Sequence, residues 1–233
     1  MKKEAKHYRL SENVLQCVLC PHECTIAEGK SGICGVRTNE GGTLFSRIYG
    51  EITSMAMDPI EKKPLYHFFP GSEILSIGTK GCNFKCFYCQ NWSISQDTAA
   101  RSKYVSPEGV VEAAIKEGSV GIAYTYSEPI IWFEYVMDCA MLARKKGLKN
   151  VMVTNGFINP APLDELLAYI DAMNIDLKSF TEESYKKVQK GTLFPVLRAI
   201  EKAHETCHVE ITTLVVTGVN GSMEEMEALI NWI

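Results

Sequence analysis

No apolar run in this 233-residue chain approaches the roughly 20 residues that cross a bilayer. The opening Met1-Lys2-Lys3-Glu4-Ala5-Lys6-His7 is basic, but the hydrophobic stretch of a signal peptide does not follow it. A basic excess is missing as well, since 24 lysines and arginines face 28 acids for a formal net charge of −4. Non-specific nucleic-acid binding needs a concentrated positive surface, so it is not expected. These absences predict a soluble, cytoplasmic protein with neither a membrane nor a nucleic acid as partner. The chain is long enough for one large domain, or for one domain plus a small module. Cysteine, by contrast, is plentiful: nine residues, an odd number. Four lie between residues 17 and 34, three between 82 and 89, and only Cys139 and Cys207 stand apart. Tight groups of this kind fit metal ligation in a reducing compartment and not a disulfide framework.

The second group reads Cys82-Asn83-Phe84-Lys85-Cys86-Phe87-Tyr88-Cys89. A [4Fe–4S] cluster has four iron corners and ordinarily takes four thiolates. Three thiolates on one loop leave a corner open to a substrate or cofactor. A structural zinc loop prefers two Cys-x2-4-Cys pairs and fits the bulky Phe84, Phe87 and Tyr88 between ligands poorly. The spacing, with an aromatic just before the last cysteine, resembles the signature of radical S-adenosylmethionine (SAM) enzymes.

Up to about residue 72 the chain is loop-rich; from residue 73 apolar strands and amphipathic helices alternate. Expected strands are 74–79, 121–126, 151–154, 172–177 and 208–216, short apolar runs bounded by turn signals. Expected helices start at Ser106-Pro107 and at Pro129, run through Leu163, Leu166, Leu167 and Ile170, and run through Leu197 and Ile200. A last one follows a capping box at Ser222-Met223-Glu224-Glu225. Such alternation gives an α/β fold with a parallel sheet or barrel, whose active site lies on the loops after the strands. The cysteine loop directly follows the first of these strands. Five strands leave an open edge, so the barrel is expected to lack its last strand or to be completed by another chain.

Three further elements fall on the same rim: Glu128 in Tyr126-Ser127-Glu128-Pro129, Asn155 in Thr154-Asn155-Gly156-Phe157, and Asp176 with Lys178 around Leu177. An acid, an amide and a lysine suit the ammonium, carboxylate and hydroxyl groups of SAM. Each also has a plainer reading: a helix start, a turn pair and alternating strand-end residues.

The run Asn150 to Phe157 and the Asp176-Leu177-Lys178 element resemble the activating enzymes of glycyl radical enzymes, such as pyruvate formate-lyase activating enzyme. The segment Asp58-Pro59-Ile60-Glu61-Lys62-Lys63-Pro64-Leu65-Tyr66-His67-Phe68, with Gln90-Asn91-Trp92, is similar more narrowly to the AmmeMemoRadiSam-system radical SAM enzymes. The resemblance implies a partial (β/α)6 barrel with cluster and SAM at its mouth. It implies cluster ligation by Cys82, Cys86 and Cys89, adenine beside Tyr88, and SAM contacts from Glu128, Asp176 and Lys178. It further implies reductive cleavage of SAM to a 5′-deoxyadenosyl radical that abstracts hydrogen from a substrate, possible protein substrates included. A low-potential flavodoxin- or ferredoxin-type donor would supply the electron. Tyr126 and Ser127 replace two glycines of the family element, Val153 replaces an acid of a monovalent-cation site, and Thr212 replaces an arginine.

The first cysteine group, Cys17, Cys20, Cys24 and Cys34, makes residues 1–72 a Cys-rich metal-binding module beside a barrel over 73–233. Zinc is slightly favoured over a second iron–sulfur cluster; His22 could substitute for one ligand, but a solvent-facing histidine is the expected reading. Three other readings stand beside the radical enzyme: a glycyl radical enzyme activase, an iron–sulfur electron carrier or structural metalloprotein without SAM, and a zinc hydrolase. The last rests on His204-Glu205-Thr206-Cys207-His208, which requires both histidines on one continuous helix. A strand starting at His208 would separate them.

Overall fold

The computed structural model describes residues 2–12 and 14–233. Its centre is a six-stranded sheet of β1 (Ser54–Pro59), β2 (Glu73–Gly78), β3 (Gly121–Tyr124), β4 (Lys149–Thr154), β5 (Ala172–Asp176) and β6 (His208–Thr212). The strands lie in chain order across the sheet, and β2 to β6 are parallel. All five expected strands are therefore present in an α/β arrangement. The sixth, β1, pairs antiparallel with β2 from Ser54 opposite Gly78 to Pro59 opposite Glu73. The sheet thus begins before residue 73, where sequence alternation alone placed its start.

Side chains alternate between the two faces of each strand. One face carries Leu75, Ile77, Ile122, Tyr124, Met152, Met173 and Ile175, which join the main core beneath the helices. The other carries Ile74, Ala123, Val151 and Ala172, closed by Ile60 and Leu65 from the segment between β1 and β2. That plug is held by Lys63, fully buried, whose ammonium lies 2.9 Å from Asp58. Glu210 on β6 accepts from the backbone amides of Tyr66 and His67, both at 2.9 Å, and fixes the far end of the plug.

The helices are α1 (Pro107–Lys116), α2 (Phe133–Lys145), α3 (Pro160–Leu167), α4 (Phe194–His204) and α5 (Met223–Trp232). Ser106 caps α1 through the amide of Gly109 at 3.2 Å. The helix expected from Pro129 opens with a 3-10 turn over Pro129–Trp132 and becomes α-helical only at Phe133. Ser222 caps α5, but the capping box is half formed. Glu225 turns inward and accepts from the Ser179 hydroxyl and the Phe180 amide instead.

The amino-terminal region builds a hairpin of Tyr8–Ser11 with Val14–Cys17, and a three-stranded antiparallel sheet of Lys3–Glu4, Thr43–Ser46 and Arg37–Glu40. It docks onto α2. Trp132 donates to the Ile48 carbonyl at 2.7 Å, and the buried Arg37 pairs with the buried Glu134 at 2.9 Å.

Candidate active site at the cysteine loop

The loop after β2 carries Cys82, Cys86 and Cys89, all partly exposed at the carboxyl end of the parallel strands. Gly81 precedes it with φ +90°, a backbone region other residues rarely adopt. A Cβ there would stand 2.9 Å from the Cys34 carbonyl and 2.7 Å from Val36, so glycine is also the residue that fits.

Asn83, fully buried between the first two cysteines, ties the loop to the end of β4. It accepts from the Asn155 side chain at 2.8 Å and donates to the Phe157 carbonyl at 2.9 Å. The same Asn155 amide approaches Cys82 Sγ at 3.9 Å, and the Phe84 N–H donates to that sulfur at 3.3 Å. Cys89 Sγ lies 3.4 Å from the Ser95 hydroxyl. Gly156, at φ +67°, completes the turn that presents Asn155.

Glu128 is buried where β3 gives way to its 3-10 turn. It accepts from the Thr154 hydroxyl at 2.6 Å, the Asn155 amide at 2.8 Å and the Ile130 amide at 3.0 Å. Burial pushes its carboxyl up to about 7, against the pull of those three donors. It therefore clasps the loops after β3 and β4 together. Burial and then the neighbouring Glu128 charge raise the Cys82 thiol. Burial also raises Cys86, to about 11, while the Lys178 ammonium opposes the shift.

Asp176 and Lys178 form an ion pair at 2.8 Å, both partly buried. Burial alone would lower the Lys178 ammonium, but Asp176 outweighs it and holds the lysine above its ordinary value. Tyr185 supports this strand end by accepting from the Lys178 amide at 3.1 Å. Tyr88 accepts from the Gln189 side chain at 2.8 Å, and burial pushes its phenol up to about 12. Gln189 is fully buried, receives the Lys85 amide at 3.0 Å, and leaves its Oε1 without a partner.

The structure thus brings together the cysteine loop, Glu128 and Asn155 by direct contact. Asp176 and Lys178 stand within electrostatic reach of Cys86 and Tyr88. Sequence reasoning missed Asn83 and Gln189. The signal for Asn83 was a polar residue enclosed by ligand cysteines; for Gln189 there was none, since Tyr88 is 101 residues away. The hydrolase motif is divided as its sequence suggested: His204 closes α4 and His208 opens β6, where it contacts Glu210 at 2.9 Å. Among the described residues, no three or more His, Cys, Asp or Glu side chains surround a position for a single metal ion. No helix among them is long and apolar enough to cross a membrane.

A mostly parallel sheet with a three-cysteine loop at its carboxyl rim defines the class of radical SAM proteins. A model of the Radical SAM superfamily matches residues 76–233, and the chain belongs to that superfamily. An uncharacterized protein of Methanocaldococcus jannaschii is 43% identical over 235 residues, covering 99% of this chain and 70% of that one. Pyruvate formate-lyase 1-activating enzyme of Escherichia coli K12 is 27% identical over 117 residues. The matched region is 47% of each chain, so this chain spans about half the length of that relative. In fold it is similar to the structure of TYW1 with a lysine-pyruvate adduct bound, with TM-score 0.52, 19% identity, and coverage of 76% of this chain and 71% of that one. Family membership implies a [4Fe–4S] cluster and SAM as cofactors.

Proposed function

We propose that the chain is an enzyme that cleaves SAM reductively and directs the resulting radical at a substrate hydrogen. Cys82, Cys86 and Cys89 would hold three irons of the cluster, whose open iron would take the amino and carboxylate groups of SAM. When bound, that pair supplies the one-electron cleavage to methionine and a 5′-deoxyadenosyl radical. The donor set fits: three partly exposed thiols on one loop, with the Phe84 amide and the Asn155 side chain aimed at Cys82. Asn155 and Glu128 fix where that loop sits against the sheet. The Asp176–Lys178 pair offers opposite charges to the two ends of an amino acid, and Tyr88 offers a ring to adenine.

The observation that carries this reading is the Asn83–Asn155 bond, which joins the cysteine loop to the rim where SAM would lie. The electron would come from a flavodoxin- or ferredoxin-type protein in the cytoplasm, under anaerobic conditions. Similarity to the E. coli activating enzyme favours an activase-like role with a protein glycine as hydrogen donor. The Asp58–Phe68 plug and Gln90-Asn91-Trp92 favour the AmmeMemoRadiSam group. Residues 1–72 would serve as a metal-binding module, with zinc or a second cluster at its four cysteines.

Anaerobically reconstituted protein with a low-potential reductant is expected to convert SAM to 5′-deoxyadenosine, and Cys86→Ala to abolish the conversion. Turnover that persists in Cys86→Ala, or a Cys82 loop that takes up zinc and no iron, would overturn the proposal.

A further inference from the structure

Contrary to expectation, His22 does not face solvent. It is partly buried, and its Nε2 lies 2.7 Å from the backbone carbonyl of Asn83, the residue that follows Cys82. A carbonyl oxygen only accepts, so Nε2 carries the proton and His22 donates. The two residues are 61 positions apart, which is why no local pattern announces the contact. The turn that carries His22 is anchored to the start of α3. Asn159 donates from its backbone amide to the Leu19 carbonyl at 3.1 Å and from its side chain to the Val18 carbonyl at 2.9 Å. The imidazole also stands edge-on to the buried Phe157 ring, with centroids 5.0 Å apart.

The accepting carbonyl and the Phe84 N–H belong to one peptide unit. That unit is planar, so holding one end of it sets the direction of the other. The other end is the N–H that donates to Cys82 Sγ at 3.3 Å. A hydrogen bond accepted at the carbonyl also polarises the N–H and strengthens its donation. The bonds of the Asn83 side chain to Asn155 and Phe157 act on the same residue but not on this carbonyl. A proton donor of the amino-terminal region is thereby coupled, through one peptide plane, to a sulfur of the cysteine loop.

We infer that His22 is a positioning residue for the Cys82 loop: it orients the Asn83–Phe84 peptide so that its N–H serves the Cys82 sulfur. The inference rests on Cys82 as a cluster ligand and is independent of what the four amino-terminal cysteines hold. Reduction adds negative charge to a cluster, and an N–H aimed at a ligand sulfur stabilises that charge. His22 therefore raises the potential at which the cluster takes its electron.

Two measurements need no cluster at the Cys82 loop. In the full chain before reconstitution, nitrogen NMR of the imidazole should show His22 as the Nε2–H tautomer; the Nδ1–H tautomer overturns the inference. In hydrogen exchange the Phe84 amide should exchange roughly 2–10-fold faster in His22→Phe than in the wild type, as loss of one hydrogen bond predicts. His22→Gln keeps a donor and should exchange like the wild type. Equal exchange in His22→Phe and the wild type overturns the inference. After anaerobic reconstitution, the cluster whose EPR signal responds to added SAM is followed by redox titration. Its potential should fall in His22→Phe and return toward the wild-type value in His22→Gln. An unchanged potential in His22→Phe, or an equal fall in both variants, overturns the role at the sulfur. A wild-type chain that takes up no cluster at the Cys82 loop would instead overturn the reading of that loop, while tautomer and exchange still decide whether His22 orients the peptide.

Discussion

Asn155 donates to Asn83 across 2.8 Å, and through that one bond the loop after β4 fixes the loop after β2. Both residues are buried, and neither bears charge. The contact to the cysteine loop is thus made by neutral amides, while the buried Glu128 carboxyl holds Asn155 through its backbone amide at 2.8 Å.

Replacing Asn83 by leucine leaves the Phe157 carbonyl buried without its donor, and the Asn155 side-chain amide with only its 3.9 Å contact to Cys82 Sγ. Each orphaned group costs about 1–3 kcal/mol. Urea unfolding should show at least that loss, and 5′-deoxyadenosine formation should fall further than stability does. A variant with wild-type urea midpoint and activity would show that the bond positions nothing.

Gly81→Ala forces a Cβ onto a left-handed backbone and toward the Cys34 carbonyl. Strain at such a position costs on the order of 1–2 kcal/mol before the steric clash is counted. The melting temperature should drop. A variant that melts with the wild type in a thermal scan would show that this position tolerates a side chain.

Glu210 sets an acid limit on stability. Burial alone would raise its carboxyl, but the Tyr66 amide, His208 and the His67 amide outweigh burial and hold it below its ordinary 4.5. A folded-state value below the unfolded one means that stabilisation is present above that ordinary value and is lost as pH falls through the folded one. Urea midpoints measured from about pH 6 down to about pH 3 should decline in the wild type, and decline less steeply in Glu210→Gln. Parallel curves would show that other carboxylates carry the acid response.

The five parallel strands were legible because buried parallel strands are continuous apolar runs between turn residues. Strand β1 was not: Ser54-Met55-Ala56-Met57-Asp58-Pro59 has no β-branched residue and ends in proline, and only its pairing with β2 makes it a strand. The cysteine triple, Glu128 and the Asp176–Lys178 pair were visible as residue types at strand ends. Their hydrogen-bond partners were not, because Glu128 spends both oxygens on neighbouring loops, 26 and 27 residues away in the case of Thr154 and Asn155. Glu225 shows the same limit locally. Its spacing from Ser222 is that of a capping box, yet Ser179 and Phe180, more than forty residues upstream, claim its carboxylate. Spacing reveals which groups are available, and long-range packing decides which of them meet.

Pairing of β1 with β2 has a consequence for how the chain unfolds. β1 is supplied by the amino-terminal part of the chain, while β2 leads straight into Gly81 and the cysteines. Opening the sheet at this edge would release the plug of Ile60 and Leu65 and unseat the loop together. The two regions should therefore behave as one cooperative unit in hydrogen exchange, with β1 amides protected to nearly the depth of β2. A protease cut near residue 72 would then require global, not local, unfolding.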